Sequence, residues 1–312
     1  MIRKIAQKHH PYCGVVVLLA AMLAAAAAVT APAAMAAPIT FNTALPVAQG
    51  ESIVRVQSKL LHAGDDPTPA DRQLEVWAFP IVGVYGVRPR LAAFAVLPIL
   101  HKELDVSLPA GRRSRSAAGI GDLRLFARYT LWQRDRPGST LRIAPFAGVE
   151  TPTGRDDATD DLGRLPRPLQ PGSGSWDPFA GVVTTWQTLN WEFDAAATYQ
   201  YNTQSDNFRF GDEIRLDASF QYRLWPRRLR TGVPAFVYGV LEGNLVQRAK
   251  NESAGIDDPD SGGTTFYLAP GLQYVTRRMV VEAAIQLPVL QDLNGQALEN
   301  DFIGTFSVRV NF

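Results

Sequence analysis

The chain has 312 residues and a formal net charge of +1 at pH 7. This near-neutral balance gives no support to a role in binding nucleic acid or another polyanion, which needs a basic surface. The sequence contains one cysteine and four histidines, and they show no metal-ligand spacing. We therefore expect no metal and no cofactor.

The first 36 residues have the pattern of a cleaved secretory signal peptide. Three basic residues between positions 3 and 8 precede an apolar run over 15–29, and Ala34-Met35-Ala36 offers a small-residue cleavage site. A transmembrane anchor is the alternative, but the run is shorter than the roughly 20 apolar residues of a spanning helix. Cleavage removes the cysteine and three basic residues, which leaves 28 basic and 30 acidic residues in an exported chain without disulfides.

The rest of the chain is a succession of alternating segments. Residues 37–50 have no clear period and are predicted to form a mobile periplasmic lead-in. From residue 51 to residue 312, apolar and polar residues alternate with the period of two that is typical of β-strands. About twelve segments can be counted, near residues 52–60, 73–84, 90–100, 122–132, 140–150, 176–186, 191–202, 213–224, 234–248, 265–275, 279–289 and 302–312.

Strand length and loop length favour a membrane protein. Most segments have ten or more residues, whereas strands of soluble proteins centre on about five or six, and a tilted strand needs about 9–11 to cross a bilayer. Longer and shorter connections between the segments also alternate along the chain, as they do in outer-membrane barrels. The predicted fold class is all-β: a membrane-spanning antiparallel β-barrel of about twelve strands over residues 51–312, in a Gram-negative outer membrane. A soluble exported β-sandwich or lipocalin-like barrel is the alternative.

The polar faces of the strands carry charges of both signs. In one interpretation they line a wet channel and bias which solutes pass; in the other they pair off and fill a small barrel. Twelve strands lie between a filled eight-strand barrel and a wide sixteen-strand pore, which favours a narrow channel. The residues predicted to line its lumen are Arg124, Arg128, Arg142, Glu150, Glu192, Asp194, Glu213, Arg215, Asp217, Arg223, Glu242, Glu282 and Arg309.

The sequence offers two other kinds of site: a hydrolytic site and a calcium site. A lipid-hydrolysing barrel needs a Ser and a His close together, and His62 or His101 could act with Ser58 or Ser107, although no spacing selects any of them. The acidic stretch 155–161 could hold calcium, but it lacks the spaced acids of an EF-hand loop, so a solvated loop tip is favoured. We therefore predict no catalytic residue and no metal site.

Three short motifs in the middle of the chain resemble a known family. They are Gly119-Ile120-Gly121-Asp122-Leu123, Thr151-Pro152-Thr153-Gly154 and Gly172-Ser173-Gly174-Ser175-Trp176-Asp177-Pro178. Together they are similar to the outer-membrane proteins of the meta-pathway phenol-degradation family, often called transporters. The resemblance implies uptake of aromatic or other hydrophobic small molecules, and it places Asp122 at the inward rim of the barrel.

The expected function is passive passage of small, aromatic or hydrophobic solutes, because nothing in the sequence could couple energy to transport. A non-conducting scaffold acting through loops 101–120 and 151–175 is the alternative. The expected partners are outer-membrane lipid, the solute and the barrel-assembly machinery. Phe312 resembles the terminal aromatic residue that this machinery recognises in bacterial barrels.

Overall fold

Twelve strands form the wall of the molecule. The structure is a computed structural model that describes residues 36–109, 111–228 and 235–312, so the predicted signal peptide lies outside it except for Ala36. The strands are β1 (Ser52–Ala63), β2 (Gln73–Arg88), β3 (Leu91–Leu108), β4 in three segments (Gly111–Ile120, Leu123–Tyr129 and Trp132–Arg136), β5 (Ser139–Thr151), β6 (Asp177–Thr188), β7 (Trp191–Gln200), β8 (Glu213–Trp225), β9 (Ala235–Arg248), β10 (Gly263–Thr276), β11 (Met279–Leu293) and β12 (Phe302–Asn311).

The sheet closes on itself. Every wall strand pairs antiparallel with its neighbours in sequence, and β12 returns to β1, with Asn311 opposite Ile53 and Phe302 opposite His62. Closure leaves no strand edge around the ring, so the backbone groups of the wall are paired within the protein. The prediction of an all-β antiparallel barrel with about twelve strands is confirmed. No described helix is long and apolar enough to cross a membrane.

The inner and outer faces have the polarity of a membrane barrel. On β8, Leu216 and Phe220 point outward and are 48% and 46% exposed, while Asp217, Ser219 and Gln221 point inward and are buried. A soluble barrel would place these two sets the other way round. Outward apolar residues and an inward polar set fit a lipid-facing wall around a polar interior.

The two ends of the barrel differ in the length of their connections. Two-residue turns join β2 to β3, β4 to β5, β6 to β7 and β10 to β11, and both ends of the sheet, Ser52 and Asn311, lie at this end. Long connections such as 152–176 and 201–212 lie at the opposite end. Short turns face the periplasm and long loops face the exterior in outer-membrane barrels, which fixes the orientation used below.

The external connection predicted at 101–120 is a β-hairpin, so the prediction of a loop there is wrong. β3 continues to Leu108, and its last ten residues pair with Gly111–Ile120 of β4. This hairpin rises beyond the end of β5 at Thr151. Because the hairpin extends beyond its neighbours, it needs no lipid-facing alternation, and the run of arginine, serine and alanine in β4 gave no strand signal.

Residues 36–50 lie inside the barrel and not below it as a mobile lead-in. Ile39 and Ala44 are 1% and 0% exposed. The segment belongs to no sheet, and side chains from several wall strands hold it, so it carries no periodic pattern. We call residues 36–50 the lumen segment.

The last residue completes the closure between β1 and β12. Phe312 donates its backbone N–H to the carbonyl of Ser52 at 2.8 Å, and Ser52 donates back at 3.2 Å. We expect deletion of Phe312 to reduce the amount of assembled protein in the outer membrane, because the deletion removes both the last ladder pair and the terminal aromatic ring. Heat-modifiable mobility on gels would measure this. Phe312→Tyr keeps the ring and should assemble normally, whereas normal assembly of the deletion variant would contradict the role.

Candidate functional site: the lumen and its N-terminal segment

A carboxylate of β9 binds the lumen segment through its backbone. Glu242 is fully buried and accepts hydrogen bonds from the N–H of Ile39 at 2.7 Å, from the N–H of Thr40 at 3.0 Å and from the Thr40 hydroxyl at 2.5 Å. Ser219 of β8 adds a further bond at 3.2 Å. Hydrogen bonds to a charged acceptor are about twice as strong as neutral ones, so this carboxylate with three bonds to the segment is a strong anchor.

The opposite wall holds the segment after it has crossed the lumen. The Thr185 hydroxyl on β6 accepts the N–H of Ala44 at 2.7 Å. Arg128 on β4 donates to the carbonyls of Thr43 and Leu45, the latter at 2.5 Å. Its guanidinium also stands 5.0 Å from the centre of the Phe94 ring. The segment is therefore clamped from both sides of the barrel by charged side chains.

A third group of contacts lies on the β1, β10, β11 and β12 side. Gln273 donates to the carbonyl of Ala37 and, at 2.8 Å, to Glu282. Arg55 donates to the carbonyl of Ile39 at 2.6 Å and forms an ion pair with Glu282. The segment thus supplies backbone partners to buried polar side chains that need them.

Small apolar contacts support these polar anchors. Ile39 packs with Val240 and Ala284, and Val47 packs with Val84 and Phe94. Ala44 fills a narrow space beside Ala144 and Val183. The segment then leaves the lumen past Gly86, where an added Cβ would stand 1.9 Å from the carbonyl oxygen of Ala48. Only glycine lets the two backbones pass so closely at this point.

All thirteen residues predicted for the lumen lie on inward positions of their strands. Arg128 and Glu242 hold the lumen segment. Most of the others pair with neighbours on the wall or at its ends. The ion pairs are Arg124 with Glu150 at 3.3 Å, Glu213 with Arg248 at 2.8 Å, Arg215 with Asp217 at 3.0 Å, Arg142 with Asp135 at 3.2 Å, and Glu282 with Arg55. The hydrogen bonds join Arg223 to the carbonyl of Leu189 at 2.7 Å, Asp194 to Gln221 at 3.1 Å and to Thr185, and Glu192 to Gln187, while Arg309 is buried near Glu192 and Glu282.

Several inward residues were missing from the predicted set. Arg55 and Lys59 belong to β1, whose alternation is weak, although both stood on its polar side. Gln221 and Gln273 are buried and bind lumen residues, but an uncharged amide gives little signal in a list of charges. The search for charges alone therefore found the ion pairs and missed the amides that connect them.

The lumen contains two cavities, one toward each end of the barrel. The cavity on the periplasmic side has a volume of about 510 Å³ and is lined by the segment and by Val82, Val84 and Phe94. The cavity on the external side has a volume of about 310 Å³ and is lined by charged side chains, including Lys102 and Arg124. The first cavity has a largely apolar lining, whereas the lining of the second mixes charged and polar side chains with apolar ones.

The three glycine-rich motifs meet at one residue. Asp122 accepts the N–H of Gly154 at 2.8 Å and the N–H of Ser173 at 2.6 Å. Gly172 lies against Gly154, and a Cβ on Gly172 would stand 2.5 Å from the Gly154 carbonyl. Asp122 also lines the external cavity, at the inward rim that the resemblance implies. These motifs shape the junction of β4, β5 and the loop 152–176.

Arginines form ion pairs with acidic residues of the external loops. Arg167 reaches Asp156 at 3.2 Å and Asp206 at 2.8 Å, and Arg115 reaches Asp160 at 2.7 Å. The hydrogen bond from Arg164 holds the pKa of Asp206 below its usual range. These pairs tie the loop 152–176 to the β3–β4 hairpin and to the loop 201–212. No group of three metal-ligating side chains occurs in the described ranges.

His62 and His101 lie apart from the candidate serines. His62 bonds Asp301 at 2.6 Å and stacks on Phe302, near the external end of the wall. Ser58 is four residues away on the same strand, a distance of about 13 Å. Ser107 is six residues from His101 on β3, about 20 Å away. Neither pairing gives the contact between nucleophile and base that hydrolysis requires.

Comparison with protein families identifies the group to which this sequence belongs. Residues 70–289 match the family described as "Putative MetA-pathway of phenol degradation". The chain belongs to this family. The match covers well over half of the chain and confirms the resemblance read from the three motifs. No curated protein matches the sequence.

Solved structures with a similar fold are outer-membrane barrels. The COG4313 outer membrane channel from Pseudomonas putida F1 has a TM-score of 0.62 at 15% identity, covering 89% of this chain and 100% of that chain. The β domain of a Bordetella autotransporter reaches 0.44 at 13% identity, covering 85% and 100%. The CymD monoaromatic hydrocarbon channel reaches 0.42 at 13% identity, covering 85% and 89%. The fold is that of an outer-membrane β-barrel, and the protein resides in that membrane.

Removing the carboxylate of Glu242 should release the lumen segment from β9. We expect Glu242→Ala to raise single-channel conductance several-fold in planar bilayers, because the freed segment no longer holds its place across the lumen. Glu213→Ala is the matched control, since Glu213 pairs with Arg248 at the external end and does not touch the segment. Equal conductance of Glu242→Ala and the unaltered protein would contradict the anchoring role.

Removing the Asp122 carboxylate should loosen the external loop. Two hydrogen bonds to a buried carboxylate are lost in Asp122→Ala, so we expect a loss of about 3 kcal/mol in the free energy of unfolding. Urea titration in detergent measures the loss, and trypsin should cut faster after Arg155. Asp157→Ala is the control, because Asp157 is exposed and pairs only with Arg155. Unchanged stability would show that the three motifs do not depend on this residue.

Proposed function

We propose that the protein is a passive channel that lets small aromatic or hydrophobic solutes cross the outer membrane. The observation that carries this proposal is the lumen itself: it holds a largely apolar cavity toward the periplasmic end and a second cavity with charged side chains toward the external end. The family description names phenol degradation, and the similar COG4313 barrel is an outer membrane channel. A small aromatic solute fits a cavity of about 510 Å³.

A path past the lumen segment is supported by the wall at β1 and β12. Gln57 Nε2 and Thr305 Oγ1 are buried and have no hydrogen-bond partner in the described part of the chain. Buried polar atoms without protein partners are usually hydrated. Both lie on the inward face of adjacent strands, on the side where Arg55 of β1 binds the segment. We therefore assign the wet route to this wall.

The paired charges make strong ion selectivity less probable than a steric limit. The predicted lining residues Arg124, Arg215 and Glu213 all have counter-ions on the wall. A paired charge presents a weak net field to a passing ion. We propose that the lumen segment sets the size limit and that the apolar cavity favours aromatic solutes over sugars of equal size.

Flux measurements on the chain that begins at Ala37 test this function. Proteoliposomes should admit a phenol-sized aromatic solute faster than a hexose, and planar bilayers should show small, defined conductance steps. Arg128→Ala releases the carbonyls of Thr43 and Leu45, so its steps should be about twofold larger or more, whereas Arg142→Ala acts outside the segment and serves as control. Folded, inserted protein that passes neither ions nor the aromatic solute would refute the channel.

A lipid hydrolase remains the second candidate class because the fold does not decide between transport and enzyme activity. The distances from the two histidines to Ser58 and Ser107 speak against it. Replacement of His62 by alanine should leave both flux and ester hydrolysis unchanged. Loss of a measurable hydrolytic activity in this variant would favour the enzyme.

A further inference from the structure

The periplasmic rim carries a basic surface that transport does not explain. Seven exposed arginines in the described residues lie at strand ends or in connections on this side: Arg88, Arg90, Arg134, Arg136, Arg227, Arg228 and Arg277. The external loops carry the opposite excess, with acids such as Asp156, Asp160 and Asp258. The two ends of the barrel therefore present charges of opposite sign to their surroundings.

Two of these arginines face lipid and not the channel mouth. In the last segment of β4, Gln133 and Asp135 pair with inward residues of β5, and Arg142 binds both of them. The alternate residues Trp132, Arg134 and Arg136 therefore point outward. Neither outward arginine forms an ion pair with a carboxylate of the described chain, because the neighbouring Asp135 is bound to Arg142. Both guanidinium groups are exposed beside the hydrocarbon boundary.

Tryptophans stand next to these arginines on the same outer surface. Arg134 lies opposite Leu141 of β5, and Leu141 lies opposite Trp186 of β6. The rings of Trp186 and Trp191 are 4.8 Å apart, edge to face, and Trp186 donates its indole N–H to Ser139 at 3.1 Å. Tryptophan rings concentrate at the level of the lipid headgroups. The headgroup plane therefore passes through this group of residues.

We propose that Trp132, Arg134, Arg136, Trp186 and Trp191 bind the headgroup of an anionic phospholipid in the periplasmic leaflet. We call these five residues the rim patch. A guanidinium binds a phosphate oxygen pair in a bidentate manner, and the indoles cover the glycerol and upper acyl region. Lipopolysaccharide phosphates lie at the opposite end of the barrel, where the loops are acidic. An acidic soluble protein would not need an arginine pair on the lipid-facing side of the wall.

Quenching of tryptophan fluorescence by brominated lipids tests the rim patch directly, since three of the six tryptophans belong to it. The refolded protein is reconstituted in bilayers that mix phosphatidylethanolamine with brominated phosphatidylglycerol. We expect phosphatidylglycerol to be enriched around the unaltered protein. In the double variant Arg134→Gln/Arg136→Gln, we expect this enrichment to fall by a factor of about five for each arginine removed. That factor is expected for a basic residue at an anionic surface, and it should shrink as salt is raised.

Two comparisons make the test decisive. Arg113→Gln with Arg155→Gln removes two exposed arginines at the external end and should leave the lipid preference unchanged. Gel mobility before and after heating shows that each variant is folded, and lipid binding is read without any solute, so a failed channel does not affect the result. The proposal is overturned if the double rim variant keeps the preference of the unaltered protein, or if the external pair lowers it equally.

Discussion

The buried carboxylate of Glu242 has to be satisfied inside a wall that has no free backbone groups to offer. A closed sheet uses its own N–H and C=O groups to complete the ladder, so the charged residues on its inner face must find partners elsewhere. The lumen segment supplies them because it belongs to no strand: its N–H groups serve Glu242, and its carbonyls serve Arg128 and Arg55. Most charges that remain pair with one another.

This arrangement links the size of the barrel to its function. Twelve strands enclose more space than their own side chains fill. One extended segment and a set of ion pairs occupy part of that space and leave two cavities of different polarity. In the proposed channel, a solute that enters from outside would meet charged groups first and a largely apolar chamber second. The same groups that stabilise the interior therefore also set the order of environments along the path.

The sequence predicted the wall better than its contents. Strands such as β7, β8 and β12 face lipid on one side and the polar lumen on the other. Apolar and polar residues must therefore alternate strictly over 191–202, 213–224 and 302–312. The β3–β4 hairpin extends beyond its neighbours, so its residues need no such alternation. The sequence pattern therefore predicted a loop there. Residues 36–50 bind through backbone groups, which any residue has, and their burial could not be read from side-chain pattern. Asp122 lies at the inward rim, where the family resemblance places it.

The β3–β4 hairpin leaves one strand edge outside the closed ring. Gly111–Ile120 pairs with β3 on one side, and no other described strand pairs with its opposite edge. An unpaired edge invites a second chain to add a strand, which joins neighbouring barrels at the cell surface. Loop 152–176 contacts part of this strand: Arg115 pairs with Asp160, and Leu165 and Leu169 pack on Ala117. These contacts limit the part of the strand that a second barrel could approach.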